Sequence, residues 1–263
     1  MSARWRFVLV ATAVVAASVA LAEALIGGAA RSHHSRRRAA AGGRAGGRRR
    51  TPSPPRHVLL GRSADGRPIR AVELGDRHRG TALLVVGCIH GNEPAGRAVA
   101  RLVEAHPPPR AHVWVIEDLN PDGVAAGTRQ NAQGVDLNRN FPWRWRPLSR
   151  ASGQYSGPRA LYAPEARIAE SFILRVKPRM TVWFHQPLGV VDESGGDPAV
   201  ERRFARAAGM KEDRLTRYPG SAAGWQNHRL PGTTAFVVEL PPGHLPPPLA
   251  ERLAGALRAI AGT

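Results

Sequence analysis

The sequence predicts an α/β protein, with a three-layer α/β/α domain that has a mixed, mostly parallel central sheet, over residues 57–263. Two patterns support this prediction. Strand-like apolar runs alternate with helix-length segments along this part of the chain, which is typical of a sheet covered by helices. The run at residues 81–89 is continuously apolar rather than alternating, which indicates a central strand covered on both faces.

The individual elements follow from local signals in chain order. Residues 58–60 and 68–74 flank a glycine-bounded turn and predict a β-hairpin. Pro94 suits the first turn of a helix that runs to about residue 105, where a run of prolines ends it. The other periodic segments predict strands at residues 112–119, 180–184 and 234–240, and helices at residues 164–176, 199–208 and 249–260.

A long excursion separates two of these elements. Residues 120–160 are polar and rich in glycine and proline, and excursions of that length in a compact domain usually carry function. We therefore expect this segment to contribute to a site.

The first 30 residues resemble a targeting segment. Arg4 and Arg6 precede an apolar run at residues 7–22, and the run ends in a small-x-small cleavage pattern. This predicts a signal peptide or a signal anchor over residues 1–30. Nine arginines between residues 31 and 56 oppose simple export, because positive charge favours the cytoplasmic side. On balance we expect an exported, secreted or membrane-anchored protein whose folded domain lies outside the cytoplasm.

Residues 31–56 have no large apolar side chain and are dominated by arginine, glycine and proline, which predicts a disordered linker. The chain has a net charge of +18, and residues 57–263 retain +8 of it. Such a surface favours anionic partners without choosing among them. The linker is either a solvated tether or a contact for anionic lipid or wall polymer. We expect a monomer and no specific nucleic-acid binding.

Candidate metal ligands stand at two strand ends. His90 and Glu93 follow the apolar run at residues 81–89, and His185 follows the one at residues 180–184. A mononuclear catalytic zinc takes three protein ligands and leaves one position open. Because strand ends gather along one edge of a parallel sheet, the three side chains can meet. His185 on its own is equally consistent with a core histidine.

Glu239 lies within an apolar strand-like run, where a carboxylate is costly to bury unless it is paired or functional. Its functional interpretation is a general base acting on water at the metal, and its structural one is a buried ion pair. Asn138 and Arg139 suit a substrate carboxylate, and Arg129 suits an oxyanion. In isolation, each arginine is more simply a surface charge on an arginine-rich protein. Cys88 is the single cysteine and predicts a buried, inert thiol.

Together these motifs resemble the zinc carboxypeptidase family, the carboxypeptidase A-like metallopeptidases, and above all its bacterial branch of murein peptide amidases. The resemblance covers about residues 57–260. It implies hydrolysis of the γ-D-glutamyl–meso-diaminopimelate bond of a peptidoglycan-derived peptide. It also implies one zinc ion on His90, Glu93 and His185, an oxyanion contact at Arg129, a terminal carboxylate held by Asn138 and Arg139, a general base at Glu239, and a mobile tyrosine at Tyr218.

Two alternatives stay open. Succinylglutamate desuccinylases and aspartoacylases share a similar His-Gly-Asn-Glu start but deacylate small N-acyl amino acids, and residues 138–142 fit the peptidase branch better. The second alternative is a non-catalytic basic module that binds wall polymer. The segment Trp143-Arg144-Trp145-Arg146 favours it through aromatic and basic side chains in alternation, although this position also suits the rim of a cleft.

Overall fold

The computed structural model describes residues 53–108 and 111–262. The expected targeting segment, and the expected linker as far as residue 52, lie outside the described residues. Eight strands and six helices occupy the described ranges. The strands are β1 (Ser53–Arg62), β2 (Pro68–Gly75), β3 (Thr81–Val86), β4 (His112–Ile116), β5 (Met180–His185), β6 (Val190–Asp192), β7 (Lys211–Asp213) and β8 (Thr234–Glu239). The helices are α1 (Gly96–Ala105), α2 (Pro121–Ala126), α3 (Pro164–Val176), α4 (Pro198–Ala208), α5 (Ala222–Arg229) and α6 (Pro247–Ala261).

The strands form one sheet in the order β1-β2-β4-β3-β5-β8-β6-β7. The four central strands β4, β3, β5 and β8 run parallel to one another. Strands β2 and β6 flank this centre antiparallel to β4 and β8, and the edge strands β1 and β7 pair with them. The expected mixed, mostly parallel sheet is confirmed.

Helices cover the sheet on both faces. Leu83 and Val85 of β3 pack into a cluster with α1, α4 and α6, whereas Leu84 and Val86 pack into a second cluster with α3 and α5. Successive strand residues point to opposite faces, and all six residues of β3 are buried. Burial of each such side chain contributes about 1.5–3 kcal/mol. The continuously apolar run is therefore a central strand in a three-layer domain, as expected.

The sheet begins earlier than expected. Strand β1 starts at Ser53, so residues 53–56 belong to the sheet and not to the linker. Their pairing with β2 is reinforced by Arg56, whose Nη2 lies 2.6 Å from Oε2 of Glu73. The two prolines of this stretch are typical of a linker, and they concealed a strand at the edge of the sheet.

The segment between β3 and α1 also differs from the expectation. Strand β3 ends at Val86 and helix α1 begins at Gly96, so the chain makes a loop where the sequence predicted strand up to residue 89 and helix from Pro94. A Cβ at Gly91 would lie 1.8 Å from the carbonyl carbon of Gly123. Glycine at this position therefore lets the loop pack directly against α2.

Four short elements were not predicted from the sequence: β6, β7, α2 and α5. Strands of three residues are too short to display an alternating pattern. Across the described ranges, no helix combines the length and the apolar character needed to cross a membrane.

Candidate active site

The candidate metal ligands meet at the carboxyl-terminal edge of the parallel strands. His185 is the last residue of β5, while His90 and Glu93 lie in the loop after β3. The backbone N–H of Glu93 donates to the carbonyl of His90 at 2.9 Å. This turn brings both side chains of the loop to the same side. All three residues are buried, and their ligand atoms lie within 4.8 Å of one another.

The spacing of these atoms fits a metal ion. Oε2 of Glu93 lies 2.9 Å from Nδ1 of His90 and 3.0 Å from Nδ1 of His185, and the two nitrogens are 3.1 Å apart. Ligands placed tetrahedrally around zinc at its usual bond lengths are ~3.3 Å apart. Two imidazole nitrogens and one carboxylate oxygen are also a donor set of catalytic zinc sites. The cluster therefore fits a zinc-sized ion.

The protonation states of His185 and Glu93 agree with this role. Burial lowers the pKa of His185 to about 4, so at neutral pH its ring is neutral and can offer a lone pair. Burial opposes ionisation of Glu93, but hydrogen bonds with His185 and His90 outweigh it and hold its pKa well below the usual range. Neutral imidazole and ionised carboxylate are the forms that coordinate metal.

Asp136 is a site residue that the sequence pattern does not reveal. It is fully buried, and its Oδ1 lies 3.0 Å from Nε2 of His90. Because Nδ1 of His90 faces the ligand cluster, we assign the proton to Nε2, which then donates to Asp136. A carboxylate in this position fixes the tautomer and orientation of a ligand histidine. The signal in the sequence is slight, because Asp136 lies 46 residues from its partner.

Arg129 connects the same groups. Its Nη1 donates to Oε1 of Glu93 and its Nε donates to Oδ2 of Asp136, both at 2.8 Å. Since Glu93 presents Oε2 to the cluster and Oε1 to Arg129, the carboxylate is held at both oxygens. Arg129 thereby orients two carboxylates that shape the metal cluster.

Glu239 stands apart from these ion pairs. It is the last residue of β8 and pairs in register with His185 on β5. Among the described residues, its Oε2 is buried and has no hydrogen-bond partner. Burial, and after it the negative charge of Glu93, raises its pKa to about 7. A carboxyl group of this kind can exchange a proton near neutral pH.

Asn138 and Arg139 follow Asp136 in a short 3₁₀ turn. The side-chain oxygen of Asn138 accepts from the backbone N–H of Ala222 at 2.9 Å. Arg139 is buried, and its guanidinium lies 4.0 Å from the ring centroid of Tyr218. Burial lowers the pKa of Arg139, which is the cost of holding a cation away from water. The ring of Tyr218, at 44% exposure, covers this cation on its outer side.

One cavity of about 330 Å³ unites the predicted residues. Seven of the eight line it, and Glu93 contacts its wall through His90 and His185. The lining residues predicted from sequence are His90, Arg129, Asn138, Arg139, His185, Tyr218 and Glu239. Trp143 and Arg144 line an adjoining cavity that shares Tyr218 with the first, so the aromatic-basic segment lies at the rim.

Cys88 is buried, as expected. Its thiol donates to the backbone carbonyl of His90 at 3.1 Å, and burial raises its pKa. The thiol therefore supports the backbone of the metal loop and is not a nucleophile.

Comparison with known proteins places these features in context. A family profile described as zinc carboxypeptidase matches residues 109–190. Murein peptide amidase A of Vibrio campbellii is 32% identical over 202 residues, which are 69% of this chain and 78% of that protein. Murein peptide amidase A of Escherichia coli K12 is 32% identical over 154 residues, or 53% of this chain. That match spans 63% of the length of the Escherichia coli protein.

Solved structures share the same architecture. Murein-tripeptide amidase MpaA from Escherichia coli O157 aligns with a TM-score of 0.60 at 25% identity, over 78% of this chain and 90% of that one. Carboxypeptidase A from Helicoverpa armigera aligns with a TM-score of 0.66 at 16% identity, over 80% and 70% of the two chains. The second likeness concerns the fold alone.

Proposed function

The chain belongs to the zinc carboxypeptidase family, and from that premise we propose that it is a zinc-dependent metallopeptidase that hydrolyses an amide bond next to a residue with a free carboxylate. The observation that carries the proposal is the shared cavity of the His90, Glu93 and His185 cluster and the carboxylate of Glu239, whose Oε2 has no hydrogen-bond partner among the described residues. A ligand cluster with a separate proton acceptor beside it is what metal-assisted hydrolysis requires.

We infer that the substrate is a peptidoglycan-derived peptide cleaved at the γ-D-glutamyl–meso-diaminopimelate bond. The similarity to murein peptide amidases supports this inference. An open cavity that ends in charged side chains also suits a branched peptide rich in carboxylates.

One zinc ion would be held by Nδ1 of His90, Oε2 of Glu93 and Nδ1 of His185. Bound there, zinc supplies a Lewis acid that polarises a carbonyl and acidifies a water. Asp136 keeps the proton of His90 on Nε2, so that Nδ1 remains a ligand atom. Arg129 balances the negative charge of Glu93 and Asp136.

Glu239 is the general base of the proposed reaction. Its free Oε2 takes a proton from the attacking water and then delivers it to the leaving nitrogen. Arg129 lines the cavity and stabilises the negative charge that develops on the carbonyl oxygen. Ion pairing to Glu93 and Asp136 fixes the direction of its guanidinium.

Asn138 and Arg139 hold the free carboxylate of the leaving residue. An anion beside Arg139 offsets the cost of burying that cation. Tyr218 is the candidate for a mobile side chain that covers the bound substrate, supported by its exposure and by its stacking on Arg139.

The test uses the purified 263-residue chain supplied with zinc. It is incubated with L-Ala-γ-D-Glu-meso-diaminopimelate and, in parallel, with ordinary L-peptides, and products are followed by mass spectrometry. Release of diaminopimelate that a chelator blocks is the expected result. Release of a carboxy-terminal L-residue instead would make the protein a general carboxypeptidase. No product from either substrate, with zinc bound, would favour a small-molecule deacylase or a binding module.

We further propose that the domain acts as a monomer outside the cytoplasm, exported or anchored by residues 1–30. The basic residues of the linker would contact anionic lipid or wall polymer. The charge and hydropathy pattern of the sequence supports this arrangement. A reporter enzyme that is active only outside the cytoplasm, fused after residue 263, tests it. An inactive reporter would place the domain inside.

A further inference from the structure

The cavity that contains the candidate metal ligands holds a further arginine besides Arg129 and Arg139. Arg217 lines it together with Asp192 and Ser194. Arg217 directly precedes Tyr218 in the sequence, and both residues line the cavity that Asn138 and Arg139 also line.

Asp192 fixes this arginine in place. Nη1 of Arg217 donates to both carboxylate oxygens of Asp192 at 2.8 Å. The carboxylate also accepts from Ser194 Oγ at 2.7 Å and from the backbone N–H of Leu215 at 3.0 Å. Asp192 is buried at 8% side-chain exposure and all of its acceptor positions are occupied, whereas the side chain of Arg217 is 38% exposed.

Arg217 keeps donors for a ligand. Within the described ranges, its hydrogen bonds run through Nη1 alone, and a guanidinium carries five N–H donors in a fixed fork. Nη2 and Nε thus present an edge that matches a carboxylate in a bidentate manner. A cation held rigidly at the wall of a cavity, with unused donors, is an anion receptor.

The register of the sheet places this receptor on the side of Glu239. Asp192 pairs with Val237, and Val190 pairs with Glu239, on the antiparallel strands β6 and β8. Residues two apart on a strand share a face, and directly opposed residues do too. Asp192, Val237 and Glu239 therefore point toward the same side of the sheet.

The spacing between Glu239 and Asp192 along the sheet is comparable to the length of the leaving residue's side chain. Two residues of strand separate the positions of Glu239 and Asp192, which is ~7 Å. The two amino-carboxylate centres of diaminopimelate are joined by four C–C bonds, or roughly 5 Å when extended. Val237, Ala223 and Leu215 line the same cavity as Arg217 and offer apolar surface to the methylene groups.

We propose that Arg217, positioned by Asp192, binds a carboxylate at the far end of the leaving residue's side chain and so selects amino-dicarboxylates over residues that end in an ammonium group. The inference rests on the proposed function, because it specifies the substrate of that same site. Arg139 holds the carboxylate next to the scissile bond and Arg217 holds the distal one.

The test compares three peptides, L-Ala-γ-D-Glu-X, on the full chain with zinc. In the first, X is meso-diaminopimelate; in the second it is 2-aminopimelate, which lacks the distal amine; in the third it is L-lysine, which lacks the distal carboxylate. A charge-assisted bidentate contact gives a preference of about 10–100-fold in kcat/KM for the first two peptides over the third.

Arg217→Gln should lower kcat/KM for the first two peptides to the level of the lysine peptide and leave the lysine peptide unchanged. The loss should appear in KM with little change in kcat, since the contact lies away from the reacting atoms. Arg217→Lys should restore part of the preference. Arg214→Gln is the matched control, because this exposed arginine of the same segment does not line the cavity.

Equal loss on all three peptides would make Arg217 a structural brace, and no loss on any would remove it from substrate binding; either result overturns the proposal. If Arg217→Gln alone fails to fold around the buried Asp192, the paired variant Asp192→Asn with Arg217→Gln replaces the ion pair by two amides and gives the same comparison. If the wild-type chain binds zinc and cleaves none of the peptides, the proposed function fails and this proposal with it. Cleavage of all three at equal rates overturns this proposal alone.

Discussion

Two glutamates occupy the same edge of the sheet in opposite electrostatic states. Glu93, in the loop after β3, contacts Arg129, His90 and His185, and its pKa is held well below the usual range despite burial. Glu239, at the end of β8, has a buried oxygen without a hydrogen-bond partner in the described structure, and burial raises its pKa to about 7.

The difference shows how one fold assigns two roles to the same side chain. Glu93 is surrounded by donors that keep it ionised and immobile, as a metal ligand must be. Glu239 has one oxygen without a partner in the described structure, and burial raises its pKa to about 7, so the carboxyl group can exchange a proton near neutral pH. The surroundings of each carboxylate therefore support the proposed roles of Glu93 as metal ligand and Glu239 as general base.

Removal of the proposed metal ligand Glu93 should have the largest effect on zinc content and turnover. In Glu93→Gln the amide loses the negative charge that binds the ion and that pairs with Arg129. We expect zinc content near zero after dialysis, and turnover lost with it. Metal analysis and peptide hydrolysis on the same sample measure both. Glu251→Gln, an exposed glutamate of α6, should retain both, and full zinc occupancy in Glu93→Gln would contradict the ligand role.

Removing the base should abolish turnover and spare the metal. Glu239→Gln keeps the shape of the side chain but cannot accept a proton, so kcat should fall by about 10²–10⁴-fold. Zinc content should remain that of the wild type. Retained activity would contradict the role of Glu239 as general base. Loss of zinc together with activity would show that Glu239 acts on metal binding instead.

Asp136→Asn should have an intermediate effect, because it acts on zinc binding through the contact with His90. The amide can still contact Nε2 of His90 but no longer fixes its tautomer by charge. We expect zinc affinity to fall by about 10–100-fold, measured by competition with a chelating dye. Excess zinc should restore activity, and an affinity equal to that of the wild type would mean that Asp136 only packs against the histidine.

The smallest expected effect is that of Glu239 ionisation on the thermal stability of the metal-free chain. The pKa of Glu239 is about 7 in the folded chain against a usual value of 4.5. The folded state therefore holds this proton more tightly than the unfolded state, and ionisation costs stability as pH rises from about 4.5 to about 7. Below that window both states are protonated and the cost vanishes.

Glu239→Gln mimics the protonated form, so the metal-free variant should melt higher than the wild type at pH 8. The expected difference is about 2–4 °C, equivalent to ~1 kcal/mol, and it should disappear near pH 4.5. Thermal melts in chelator at both pH values measure it. A difference that is the same at both pH values would mean that burial does not penalise the charge.

The sequence predicted the central layers well, because buried strands leave long apolar runs. It also led to His90, Glu93, His185 and Glu239, since each stands at the end of such a run and meets the others through sheet topology alone. Asp136 was not predicted, because its role depends on a contact with His90, which is 46 residues away in the sequence. Asp192 and Arg217 were also not predicted. Asp192 lies in the three-residue strand β6 and Arg217 lies in the segment after β7, and neither segment has a periodic pattern.

The metal cluster joins parts of the chain that are far apart in sequence. His90 and His185 are separated by 95 residues, so an ion bound by both would close a long loop. Metal that binds only the folded chain stabilises it by mass action. Loss of the ion would therefore lower the stability of this edge of the sheet and also remove the activity. Susceptibility to proteolysis would then report metal starvation, and a domain stripped of zinc would be the one that proteases clear first.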